Sequence, residues 1–151
     1  MISQRLRLHA IGLLGLFAVQ FVVGMTLNLF VSLPTSHPGT SGGEYFTRSA
    51  QSLIWAISGG GGWALAIHVL LAVVLLLGCL VLFVRSLRLK APSFWCWMGG
   101  LASLFTLGAL FNGLSFVDYD NDFSSLIMAV CWLAAVVALV AALLRAGPDT
   151  E

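Results

Sequence analysis

The sequence predicts an all-α integral membrane protein, formed by one transmembrane domain over residues 1–151 with four spanning helices and a further helix at the outer interface. The composition is the first reason: 60% of the 151 residues are hydrophobic and 9% are charged, against about 45–50% and about 25% in soluble domains. The mean hydropathy is +1.01. A chain this short has too little interior to bury so much apolar surface, so its main partner must be the lipid bilayer.

Four long runs without Asp, Glu, Lys or Arg are the second reason. Roughly 20 helical residues cross a hydrocarbon core about 30 Å thick, and each run is long enough to do so. The runs predict spanning helices at about residues 8–33, 63–84, 93–117 and 124–144. The first run is too long for a signal peptide and lacks an Ala-x-Ala step, so we expect it to be retained.

The distribution of basic residues predicts the orientation. Six of the seven lie on one side of the predicted spans, namely Arg5, Arg7, Arg85, Arg88, Lys90 and Arg145. Because Lys and Arg near helix ends stay cytoplasmic, we expect both termini to be cytoplasmic in a multi-pass protein of the cell membrane. The opposite side carries acidic residues that we interpret as solvated loop charges, namely Glu44, Asp118, Asp120 and Asp122.

The connection over residues 34–62 is long enough to contain structure of its own. Apolar residues recur in it at helical spacing, with polar residues such as Ser52 on the other side. The apolar stripe consists of Phe46, Ala50, Leu53, Ile54 and Ile57. It predicts an amphipathic helix at about residues 44–58 that lies in the outer headgroup plane. Four consecutive glycines at 59–62 are expected to end this helix and to act as a hinge before the second span.

Several function classes are disfavoured by the sequence. A net charge of +1 without a Lys/Arg-rich run provides no electrostatic footprint for nucleic acid. No carboxylate lies within a predicted span to carry protons or cations, and no Cys-x-x-Cys pair is present for disulfide exchange. No Ser/His/Asp arrangement lies at a plausible depth for hydrolysis. The sequence therefore favours a protein that is not an enzyme.

One polar layer stands out within the predicted bundle. Counting 1.5 Å per residue from the outer ends of the helices places Asn28, His68 and Asn112 at one depth, with Met128 nearby and Ser115 just above. Such side chains can tie helices together through hydrogen bonds or line a small cavity open to the outside. Both interpretations stay open, and the second makes Asn28, His68, Asn112 and Ser115 the ligand-binding residues.

The function predicted from this layer is binding or transport of a small uncharged or apolar molecule, or the role of an accessory subunit among other membrane subunits or in a homo-oligomer. The alternative is a redox protein that binds b-type haem or a quinone near His68. Its feasible axial pairs are His68 with His37, Met128 or Met25, because His9 lies roughly 28 Å deeper. A soft-metal site formed by His68, Met25 and Met128 is a rarer alternative.

Overall fold

The structure is a computed structural model that describes residues 2–40, 43–119 and 122–146. The described residues form five helices: α1 (Ile2–Phe30), α2 (Tyr45–Ile57), α3 (Trp63–Arg88), α4 (Ser93–Tyr119) and α5 (Asp122–Arg145). Four of them, α1, α3, α4 and α5, are long and apolar enough to cross a membrane. The predicted all-α architecture with four spans and one additional helix is therefore confirmed.

Two helix boundaries differ from the predicted ones in a way that affects the polar residues. α1 ends at Phe30, three residues earlier than predicted, because Pro34 disfavours helical backbone in the residue before it and cannot donate a helical hydrogen bond. α4 continues beyond Val117 to Tyr119. Asp118 consequently belongs to a helix and not to the loop that follows it.

The bundle has two different ends. We call the end that carries α2 the cap end. The other is the basic end, where α1 begins beside the end of α3 and α5 ends beside the start of α4: Arg85 Nη1 lies 3.4 Å from His9 Nδ1, and the Arg145 guanidinium lies 5.8 Å from the centre of the Phe94 ring. The antiparallel connections thus bring the predicted basic residues together.

Packing is tightest in the half of the bundle next to the basic end. The main apolar core draws side chains from all four spanning helices, and Phe17, Leu75, Trp95 and Leu139 are almost completely buried. Close approach of α3 and α4 depends on Gly99, since a Cβ there would lie 3.2 Å from the Phe83 Cα. This half forms a closely packed base for the rest of the bundle.

The half next to the cap end is looser between α1 and α5. The last buried side chain of α1 is Gln20, and the residues after it are exposed or half-buried. The first buried side chain of α5 is Ala135. By contrast, α3 and α4 bury side chains along their whole length, including Ala64 and Asp118 at the cap end. We call the region along these exposed outer halves of α1 and α5 the open seam.

α2 lies against α3 and α4 at the cap end and presents its apolar stripe away from the protein. Phe46 and Ile54 are 64% and 69% exposed, as lipid contact by an interfacial helix requires. The buried face consists of the small residues Ser49, Ser52 and Ala56. Ser52 lies on the side opposite the apolar stripe, as predicted, and its hydroxyl has a partner within the protein.

A glycine turn over residues 58–62 separates α2 from α3, and the predicted break is present. Gly59 and Gly62 have φ angles of +88° and +89°. This left-handed region is free of steric cost only for glycine. The turn reverses the chain so that α2 can lie against the helices beneath it.

Labelling from both sides of the membrane tests the orientation. Ser93→Cys at the basic end and Glu44→Cys at the cap end both replace exposed residues. In a background without the native cysteines, a membrane-impermeant maleimide is expected to label Glu44→Cys in intact cells and Ser93→Cys only in inverted vesicles, since basic loops stay inside. Full labelling of both after detergent solubilisation is the control. Labelling of both from the same side would contradict the four-span topology.

Candidate functional site

The four predicted ligand-binding residues, Asn28, His68, Asn112 and Ser115, contact different neighbours in the structure. Asn28 is exposed near the end of α1. Asn112 donates its amide N–H to the Gly108 carbonyl oxygen of its own helix at 2.8 Å, and Ser115 shares a hydrogen bond of 2.9 Å with the Tyr45 hydroxyl of α2. His68 faces α1. The layer is therefore not one continuous site.

The offset between α1 and α3 explains why depth counting misplaces Asn28. Gln20, eight residues before Asn28, donates a hydrogen bond to His68, and Gly24, four residues before Asn28, lies against the His68 ring. Leu13 of α1 and Gly78 of α3 show a similar antiparallel offset of the two helices, since a Cβ on Gly78 would lie 2.6 Å from Leu13 Cδ2. His68 therefore lies level with residues 20–24 of α1, and Asn28, four to eight residues further on, is roughly 6–12 Å nearer the cap end. Helix ends alone do not reveal such an offset.

Gln20 and His68 form a hydrogen-bonded pair between α1 and α3. Gln20 Nε2 donates to the His68 carbonyl oxygen at 3.1 Å and lies 3.3 Å from the ring Nε2. Because an amide nitrogen only donates, the ring Nε2 accepts, and the neutral imidazole carries its proton on Nδ1. Gly24 leaves room for the ring, since a Cβ there would lie 2.9 Å from Cε1. The pair thus selects one tautomer of His68.

Three buried polar atoms have no hydrogen-bond partner among the described residues: Gln20 Oε1 and His68 Nδ1 of this pair, and Trp132 Nε1. Trp132 of α5 packs on Phe17 and Phe21 of α1, with ring centroids 6.2 and 5.4 Å apart. The three side chains therefore all lie at residues 17–24 of α1, about two turns of helix at the inner end of the open seam. An unpaired buried polar atom costs about 1–3 kcal/mol, so this cluster is the candidate ligand site.

Sequence reasoning missed two members of this site, Gln20 and Trp132. Gln20 is only 6% exposed, and it lies in an apolar stretch of α1 between His9 and Thr26. Amides are costly inside a membrane span unless they have a partner or a function. That cost is a signal in the sequence, but counting depth from the helix ends does not use it.

A second polar cluster, the outer cap, joins residues 37–40 and α2 to the last turn of α4. Asp118 of α4 is 6% exposed. Ser49 Oγ donates to its Oδ2 at 3.3 Å, and Ser52 Oγ donates to its Oδ1. The interpretation of Asp118 as a solvated loop charge is therefore wrong, because two serine hydroxyls replace the water that the carboxylate loses on burial.

The other acidic residues predicted at this end differ from Asp118. Glu44 and Asp122 are exposed, as solvated charges are. Asp120 lies outside the described residues. Of the acidic residues that the structure describes, Asp118 alone is buried in the cap, and this makes it the anchor for α2.

His37 belongs to the outer cap. Its Nε2 lies 3.1 Å from the Val117 carbonyl oxygen and its Nδ1 lies 2.9 Å from the Pro38 carbonyl oxygen. The ring stacks on Trp55 of α2 with centroids 4.2 Å apart and planes 9° apart. Arg48 adds a hydrogen bond of 2.7 Å to the Gly39 carbonyl oxygen. His37 therefore connects the loop over residues 37–40 both to α2 and to the end of α4.

The proposed haem or metal ligands lie beside different neighbours. His37 contacts Val117, and His68 contacts Gln20. Met128 of α5 lies beside Gly113 of α4, since a Cβ there would be 3.1 Å from the Met128 sulfur. Within residues 2–40, 43–119 and 122–146, no group of three His, Cys, Asp or Glu side chains could hold a metal ion. Of these predicted ligands, His68 is the one that carries an unpaired buried atom, as does its partner Gln20.

Gly60→Ala is expected to loosen the outer cap. An added Cβ would overlap the Trp55 indole, which stacks on His37, and overpacking of this kind costs about 1–3 kcal/mol. Hydrogen exchange of the α2 amides should become faster. Gly15→Ala in α1 is the control, because nothing lies within 4 Å of its added Cβ. Unchanged α2 protection in Gly60→Ala would show that the turn has spare room.

Comparison of the chain with protein-family models, with curated proteins and with solved structures finds no match. Its function is therefore inferred from the chemistry of its own residues.

Proposed function

We propose that this protein is a non-catalytic membrane component that binds a small lipid-soluble molecule at Gln20, His68 and Trp132. The observation that carries this proposal is the cluster of three unpaired buried polar atoms at the inner end of the open seam. A ligand that supplies their missing hydrogen bonds would recover about 1–3 kcal/mol for each atom. The seam between α1 and α5 would admit it from the leaflet at the cap end.

The three free atoms define the chemistry of the ligand. His68 Nδ1–H and Trp132 Nε1–H are donors, and Gln20 Oε1 is an acceptor. All three side chains are uncharged when His68 is neutral. The matching ligand has an apolar body with oxygen acceptors, such as carbonyl groups, and at least one hydroxyl or N–H donor. The aromatic rings of Phe17 and Phe21 beside Trp132 would pack against that apolar body.

The same geometry distinguishes between the two redox cofactors of the alternative hypothesis, haem b and a quinone. Iron coordination needs the lone pair of a ring nitrogen, and the His68 Nε2 lone pair already faces the Gln20 amide nitrogen. Coordination through Nδ1 would require the other tautomer and the loss of that hydrogen bond. A quinone, which accepts hydrogen bonds through its carbonyl oxygens, fits the free donors better than haem b does.

Extraction of the purified protein tests the proposal. The full chain is purified in a mild neutral detergent, and organic extracts are analysed by mass spectrometry while absorbance reports haem or quinone. A small molecule is expected in near-stoichiometric amount with the wild type and with Asn28→Leu, which changes an exposed amide. Gln20→Leu is expected to lose it. Equal amounts in all three proteins, or none in the wild type, would refute the proposal.

The same preparation tests whether the protein is an accessory subunit. We propose that any larger assembly forms in the membrane with other membrane subunits or with further copies of this chain. Size and composition of the detergent-solubilised complex measure this directly. A complex that loses its ligand in Gln20→Leu but keeps its subunits would separate the binding role from assembly.

A further inference from the structure

α3 carries an apolar groove on its outward side at the basic end. The groove has a volume of about 300 Å³ and is lined by Leu77, Leu80, Val81, Val84, Arg85 and Arg88. These positions recur at helical spacing and form one stripe. The four apolar side chains are 40–56% exposed. The groove is therefore a surface of α3 that the other helices leave uncovered.

Charge is concentrated at one end of this groove. Arg85 and Arg88 line the end of the groove that lies at the basic end of the bundle. Lys90 follows two residues after Arg88. The Arg85 guanidinium donates toward His9 Nδ1 at 3.4 Å, which holds it beside the groove. The acidic residues that the structure describes all lie at or near the cap end, namely Glu44, Asp118 and Asp122. Among the acidic residues that the structure describes, none therefore lies beside the arginine end of the groove, where the guanidinium groups attract an anion.

The length of the groove matches one leaflet of a bilayer. Leu77 and Arg88 are eleven residues apart, about 16 Å along the helix axis. Half of a hydrocarbon core about 30 Å thick is roughly 15 Å. A single acyl chain therefore extends along the apolar part while its headgroup reaches the two arginines.

We propose that α3 binds a phospholipid with an anionic headgroup at the basic end. One acyl chain lies in the groove, and the phosphate oxygens accept hydrogen bonds from Arg85 and Arg88, whose planar guanidinium groups suit phosphate. The interaction uses none of the residues of the Gln20–His68 site. It would tie the closely packed base of the bundle to the leaflet at its basic end.

Lipid retention by the full chain in neutral detergent tests this proposal. The probes are dioleoyl phosphatidylglycerol, dioleoyl phosphatidylcholine and inorganic phosphate, and native mass spectrometry measures the bound fraction. The wild type is expected to retain phosphatidylglycerol in preference to phosphatidylcholine. Arg88→Gln should lower that preference about fivefold, as loss of one basic residue near an anionic lipid does. Arg145→Gln removes the same charge at the same end and should have no such effect.

Val84→Trp tests the acyl-chain contact separately, because it fills the groove and keeps both arginines. It is expected to reduce phosphatidylglycerol retention, and inorganic phosphate should not displace the lipid. Equal loss in Arg145→Gln, displacement by phosphate alone, or full retention in Val84→Trp would overturn the proposal, as would a second protein chain bound to the groove. If Arg88→Gln lowers the melting temperature, Arg88→Lys provides the second measurement, with the charge kept and the loss expected to be smaller.

Discussion

Replacing His68 by leucine is expected to remove the bound molecule from the purified protein while the bundle stays folded. The ring provides the free Nδ1–H donor, and its Nε2 orients the Gln20 amide. Leucine has a similar size but neither function. A ligand atom that loses this hydrogen bond and stays unpaired costs about 1–3 kcal/mol, which corresponds to roughly a five- to 150-fold weaker affinity.

The fold should tolerate this change. Hydrogen bonds between membrane helices contribute about 0.6 kcal/mol on average, and Gln20 keeps its bond to the residue 68 carbonyl oxygen. Asn112→Leu is the matched control. Within the residues that the structure describes, the Asn112 side chain hydrogen-bonds only to the Gly108 carbonyl oxygen of its own helix. Ligand content and melting temperature are measured for both variants. Ligand loss in both, or in neither, would contradict the assignment of His68 to the site.

Asp118→Ala is expected to release α2 from the bundle. The carboxylate accepts hydrogen bonds from two buried hydroxyls, those of Ser49 and Ser52, and alanine leaves both without that acceptor. Hydrogen bonds to a charged group contribute about 1.5–3 kcal/mol each. We expect α2 docking to weaken by about 3 kcal/mol, on the order of a hundredfold in the ratio of docked to undocked α2.

Spin labels or cysteine accessibility along α2 measure this release. In the wild type, Ser49 and Ser52 positions are shielded and the Phe46 and Ile54 positions are exposed; in Asp118→Ala the difference should fall. Asp122→Ala removes a nearby exposed carboxylate and should leave the periodic pattern unchanged. A pattern that persists in Asp118→Ala would show that apolar packing of Ala56 is sufficient to hold α2.

The fold was predictable because hydrophobicity acts over whole segments. Four uncharged runs must cross the bilayer whatever their partners, and Pro34 and the glycines at 59–62 end helices through their own backbone chemistry. The stripe from Phe46 to Ile57 likewise depends only on local spacing. None of these conclusions requires knowledge of which helix touches which, and the structure confirms the helices that they predict.

The candidate site depends on contacts between helices, and these were less predictable. The sequence draws attention to His68 because an imidazole is rare in an apolar span, but its hydrogen-bond partner in the structure is Gln20 and not Asn28. The axial offset of α1 against α3 follows from interdigitation of side chains such as Leu13 with Gly78, which no single segment encodes. The burial of Asp118 is not predictable for a similar reason, since its partners Ser49 and Ser52 lie on a different helix.

The unequal packing of the two ends has a consequence for how the protein opens. α2 is attached through side-chain hydrogen bonds that water can replace and through a small apolar cluster of Ala56, Leu65 and Val69. The base is joined by a larger set of interlocked apolar side chains that lipid and water replace poorly. Regions with fewer buried apolar contacts open at lower free energy. Deuterium uptake should therefore form a gradient along the membrane normal, fastest in α2, slower in the outer turns of α1 and α5, and slowest around Leu75 and Leu139. Thermal fluctuation would then expose the Gln20–His68 pair long before the helices separate.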